Sequence, residues 1–165
     1  MTTSTMQAPD EDNLQRTAGI GLAIVRVIVG GELFSTFFEN LGKGAYSPAG
    51  YAGVLNYYVQ HSHSSEAWRH LLAMMASHSA ILGPMQAVME ISVGTLLIVG
   101  LFTRPAALVA FLFLGTLWVT ELGTSWIWEL LVPFVASLGL LVGRAGRTWG
   151  VDAILARKWP SSLLW

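Results

Sequence analysis

Cysteine is absent from this chain of 165 residues. That excludes disulfides, iron–sulfur clusters, cysteine–zinc sites and thiol chemistry within the chain. Any redox chemistry would need a partner or a bound cofactor. Charge is scarce too. Asp, Glu, Lys and Arg make up 12% of the residues, against about 25% in soluble domains, and a water-soluble protein of this length needs more than that to cover its surface. The net charge of -1 gives no sign of nucleic-acid binding. No basic residue stands in residues 1–15, which instead carry Asp10, Glu11 and Asp12. A secretory signal opens with positive charge, so residues 1–16 read as a solvated, flexible tail, with a second short tail at 160–165. The four histidines (His61, His63, His70 and His78) all fall in or at the end of one polar connection. A membrane b-type haem needs two histidines on facing helices, so no haem is expected. His61 and His63 read as solvated loop residues, and no metal site is expected. Nothing resembles a phosphate loop, a serine triad or a nucleic-acid module.

Apolar sequence is plentiful. Hydrophobic residues make up 53%, and the mean hydropathy is +0.56. A bilayer core about 30 Å thick needs roughly 20 residues of helix. Four stretches qualify: about Thr17 to Phe38, Ser79 to Phe102, Pro105 to Leu122, and Trp126 to Gly143. The turns between the last three are tight and force antiparallel neighbours. Arg16, Arg104, Arg144, Arg147, Arg157 and Lys158 fall on one side, and only Lys43 and Arg69 on the other. Positive charge stays inside, so both termini and the Arg104 turn are expected in the cytoplasm. All seven tryptophans sit at span ends or outside spans, as in an interfacial aromatic belt. The expected fold is all-α: an integral membrane four-helix bundle over residues 17–159, with its lipid bilayer as first partner.

The connection from Glu39 to His78 shows helical signals. Ser47-Pro48 is an N-cap followed by proline at the first helical position, with Tyr51, Val54, Leu55 and Tyr58 at helical spacing behind it. Ser65 to Ala76 places Trp68, Leu71, Leu72 and Met75 on one face. Both read as short interfacial helices or a cap over the bundle, and Val151 to Trp159 as their inner counterpart. Gly139 and Gly143, and Ala106 and Ala110, form small-xxx-small steps that let helices pack closely. Pro84 and Pro133 stand where they could kink spans two and four and open the outer mouth.

A charge at bilayer depth costs about 2.5 to 3.5 kcal/mol on insertion scales and persists when paired or functional. Arg26 and Glu90 are the deepest charges, roughly 13 Å and 20 Å above the inner boundary at 1.5 Å per residue. They are expected to form an ion pair, either as a lock between spans one and two or as the polar floor of a ligand or proton site. Glu32, Glu121 and Glu129 fall in the outer part of their spans. The last two stand near water and read equally as solvated. Glu32 is separated from water by about six apolar or small residues, and such a carboxylate could exchange protons.

Three segments carry a resemblance. Gly21 to Gly30 encloses Arg26. Glu90 to Arg104 runs across the second span and its turn. Gly143-Arg144-Ala-Gly146-Arg147 leads to Asp152. In order and spacing, from about Ala18 to Trp159, the chain resembles the DoxX/DoxD family and, within it, the small membrane subunit of thiosulfate:quinone oxidoreductase. The resemblance implies a multi-pass subunit of a prokaryotic inner membrane, tied to quinone-linked electron transfer and working with other membrane subunits. It implies quinone as the cofactor or acceptor, held by Arg26, Glu90 and Glu32, with Glu32 and Glu90 relaying protons. The alternative is a non-catalytic accessory subunit of a larger respiratory or photosynthetic complex.

Overall fold

The computed structural model describes residues 11–162 and residue 164. Seven α-helices and one 3-10 turn account for the described residues, with no strand among them. They are α1 (Glu11–Gly42), α2 (Pro48–His61), α3 (Glu66–Ser77), α4 (Ser79–Val99), α5 (Thr103–Thr120), α6 (Ile127–Gly143) and α7 (Val151–Lys158), the 3-10 turn being Ala145–Arg147. Three helices are long and apolar enough to cross a membrane: Asn13–Gly42, Ser79–Val99 and Thr103–Thr120. α6 is equally apolar but has 17 residues, a length of about 25 Å. Within the expected N-terminal tail, residues 11–16 are already helical, so only residues 1–10 remain outside the described part. The expected flexible tail over 1–16 is corrected to that extent. α1 continues upstream because nothing in Glu11 to Arg16 breaks a helix.

The ends of the elements follow local chemistry. Ser47 caps α2 by accepting the Gly50 N–H at 3.1 Å, with Pro48 in the first helical position. Ser65 caps α3 by accepting the Trp68 N–H at 3.3 Å. α4 stops three residues before the expected Phe102. Gly100 takes a left-handed conformation (φ +70°) and turns its N–H back to the Leu96 carbonyl, an αL helix ending that glycine accepts without penalty.

α1 lies along α4 and also touches α6, while α5 lies along α6 and touches α4. The α1–α4 crossing is close because two glycines face each other. A Cβ on Gly30 would come within 2.9 Å of the Gly94 carbonyl oxygen, and one on Gly94 within 2.8 Å of the Phe34 nitrogen. Of the expected small-residue steps, Ala106 and Ala110 are buried in the core and Gly143 meets Leu22 of α1. Gly139 faces open space and makes no close crossing. Val29, Leu33, Val93, Leu97, Leu114 and Leu140 fill the interior.

The opposite faces are apolar and exposed: Ile24 and Ile28 on α1, Ile81 and Val88 on α4, Leu112 on α5, Val142 on α6. Bare apolar surface on helices of this length is what lipid, rather than water, solvates. Trp126 and Trp128 are exposed at one end, Trp149 and Trp159 near α7 at the other.

α2 and α3 pair as a helical hairpin that rests on α4, with Tyr51, Leu55, Leu72 and Ala76 buried between them. The hairpin forms a cap. The His63 N–H donates to the Leu122 carbonyl at 2.6 Å, and Trp68 Nε1 donates to Thr120 Oγ1 at 3.0 Å. The bonds tie it to the turn after α5 and to the last residue of α5 itself.

Candidate functional site

Two buried polar clusters stand at opposite ends of the helices. The first, at the α7 end, is built on Arg26, which is 1% exposed. Its Nη1 donates to the carbonyls of Ala145 at 2.8 Å and Thr148 at 3.2 Å, and its Nη2 to that of Trp149 at 2.9 Å. These carbonyls follow the end of α6, where the chain leaves its helix and its backbone acceptors lack helical partners. Asp152, fully buried, accepts the N–H groups of Phe102 at 2.8 Å and Thr103 at 2.8 Å. Its carboxylate thereby caps α5, whose N-terminal dipole favours negative charge. The Asp152 charge is also the one that attracts Arg26 through space. Glycines make room for this knot: a Cβ on Gly146 would lie 2.2 Å from Asp152 Oδ2, and one on Gly150 2.7 Å from Arg26 Nη1. The segment from Gly143 to Asp152 therefore has a structural task.

The expected ion pair between Arg26 and Glu90 does not form. Arg26 spends its donors on loop carbonyls at the α7 end, whereas Glu90 bonds only to neutral donors at the capped end. Among the described residues the sole salt bridge is Lys43–Glu39, on the surface at 2.5 Å. Arg26 is likewise removed from the ligand site expected of it, since it does not line the cavity in which Glu32 and Glu90 stand.

That cavity is the second cluster. It has a volume of about 520 Å³ and lies under the α2–α3 cap, among the ends of α1, α4, α5 and α6. Glu90, fully buried, accepts from the Tyr46 hydroxyl and from Asn40 Nδ2 (3.5 Å) on one oxygen, and from Gln86 Nε2 (2.7 Å) on the other. Tyr46 is stacked on Phe37, with ring centroids 5.7 Å apart. Burial, and then Glu90, push the Tyr46 phenol above its ordinary value, so it stays a donor. Burial and then Glu121 do the same to Tyr58, and burial followed by Glu90 to Tyr51. Glu121 accepts from Ser125 Oγ at 2.5 Å. Glu32 and Glu129 stand near enough to repel each other electrostatically, and both line the cavity.

The structure thus brings together Glu32, Glu90, Glu121 and Glu129, each from a different long helix or its end. It adds Tyr46, Asn40 and Gln86, which the sequence reading passed over. Gln86 was within reach of that reading, since it precedes Glu90 by one helical turn and such pairs share a face. Tyr46 lies in a loop, where no periodicity marks it. Two histidines of the connection are occupied locally. His61 Nδ1 lies 2.8 Å from the Tyr57 carbonyl oxygen, and His63 covers Gly123.

A helical chain with apolar outer faces, a structural knot at one end and a capped acidic cavity at the other defines the class: a small membrane protein with a polar chamber under a helical cap. The family model described as "TQO small subunit DoxD" matches residues 22–164, and the chain belongs to that DoxD family. Comparison with curated proteins and with solved structures gives no match.

Proposed function

We propose that this chain is the membrane subunit of a quinone-linked electron-transfer system resembling thiosulfate:quinone oxidoreductase, and that the capped cavity is its quinone site. In this reading α1, α4, α5 and α6 are four transmembrane helices of a prokaryotic inner membrane, with both termini in the cytoplasm and the cap outside. The observation that carries the proposal is the convergence of Glu32 and Glu90 on one chamber of about 520 Å³ lined by Tyr46, Tyr51, Tyr58 and Trp68. Ligand pockets of roughly 300 to 1,000 Å³ bury most of a small aromatic molecule. Tyrosine and tryptophan rings offer it faces to stack on.

A quinone supplies two-electron acceptor chemistry and takes up two protons on reduction. In this reading the electrons come from a reduced sulfur compound by way of partner subunits, as the description of the family suggests. The protons are the task of this chain's own carboxyl groups. Glu32 and Glu129 at the chamber wall can hold and release them, and Glu90, anchored by Tyr46 and Gln86, keeps its position throughout. The cap roofs the chamber with Tyr51, Tyr58 and Trp68.

Two outcomes are expected. Membranes containing the chain and its partner subunits should reduce quinone at the expense of thiosulfate, and membranes lacking the chain should not. Equal rates in both would discard the reading and favour an accessory subunit. Reporter fusions after Trp159 should report cytoplasm and fusions at His63 the outside. A cytoplasmic signal at His63 would overturn the four-span topology.

A further inference from the structure

The hydrogen-bonding balance of the cavity is lopsided. Most of the donor groups that line it already give a hydrogen bond to the protein itself, and the N–H groups left on Asn40, Gln86 and Lys43 are fewer than the acceptor sites of Glu32, Glu90, Glu121 and Glu129. Tyr46, Asn40 and Gln86 donate to Glu90. Ser125 donates to Glu121, and the Tyr58 phenol lies against the same carboxylate. Lys43, the one cation of the lining, is bound to Glu39 at the rim. Trp68 donates to Thr120, and the Thr116 and Thr120 hydroxyls donate to carbonyls within α5. The acceptors are in the opposite condition. Neither Glu32 nor Glu129 receives a hydrogen bond from any described residue. What remains uncommitted is therefore mostly acceptor, and the Tyr51 and Thr36 hydroxyls, which are left over, can accept as well as donate.

An oxidised quinone brings only carbonyl acceptors. Against carboxylates in their ionised form it finds fewer donors than acceptors, and it strips water from groups that it cannot satisfy. A hydroquinone of the same size brings two O–H donors. We infer that the cavity recognises the reduced, hydroxyl-bearing ring in preference to the oxidised one, with the carboxylates of Glu32 and Glu129 as the acceptors. The inference rests on the quinone reading of this cavity and adds direction to it: the chamber is built to hold the product of reduction.

A hydrogen bond to a charged acceptor is among the stronger ones, and one such bond corresponds to about tenfold or more in affinity. The test is calorimetric binding to the purified full chain in lipid nanodiscs, under argon, at about pH 9, well above the ordinary carboxyl range. The probes are a short-chain benzoquinone and its hydroquinone. The hydroquinone is expected to bind about tenfold tighter or more. Glu32→Gln should bring the ratio close to one, because the amide offers the quinone carbonyl a donor. Glu129→Gln serves as the second variant should the first fail to fold.

Equal or tighter binding of the quinone would overturn the inference and leave the quinone site standing. A ratio unchanged in both variants would overturn the assignment to Glu32 and Glu129. Binding of neither probe would sink both the inference and the quinone reading beneath it.

Discussion

Arg26→Ala is expected to cost about 3 to 5 kcal/mol of stability, the usual loss when one member of a buried charged network is removed. The substitution leaves the carbonyls of Ala145, Thr148 and Trp149 without their shared donor. It also leaves Asp152, fully buried, without its nearby positive charge. Thermal unfolding in detergent, followed by loss of helical signal, measures the effect. A loss below about 1 kcal/mol would show that the carbonyls are satisfied without Arg26. Adding Glu90→Gln provides an internal control. Because Arg26 and Glu90 share no partner, the two losses should add to within about 0.5 kcal/mol. A large coupling would restore the ion pair that the structure replaces.

Glu32→Gln is expected to lower quinone reduction by about a hundredfold or more, in the range typical of a lost general acid or base. Expression, helix content and thermal stability should stay near those of the parent. The amide keeps the shape of the side chain and cannot exchange a proton. Glu32 receives no hydrogen bond from a described residue and repels Glu129, so structure alone gives no reason for a carboxylate there. Loss of turnover together with stability would point to folding instead, and the melting curve separates the two. Normal turnover would remove Glu32 from the proton path. The variant is best assayed in isolated membranes with thiosulfate as donor, beside a parent sample that is active.

The local parts of this protein were legible from residue order. Helix propensity, capping and apolar run length act over a few neighbouring positions, so Ser47-Pro48, Ser65 and the long apolar stretches could be read directly. Scarcity of charge pointed to lipid as the solvent. It also made Arg26, Glu32 and Glu90 conspicuous, because a charge in such a run must have a purpose or a partner. Choosing the partner was beyond that kind of reasoning. Rise per residue places a side chain along the helix axis, but not around it, and an arginine can reach toward either end. Only the packed structure shows that the chain leaving α6 folds back under α1 and presents its carbonyls to Arg26. Likewise, only the docking of the α2–α3 cap brings the loop residue Tyr46 onto Glu90, 44 positions away. Sequence alone determined that these charges are buried among apolar helices. Tertiary structure decided that one becomes a fastener and the other the floor of a chamber, because partners so distant in the chain meet only when the helices pack.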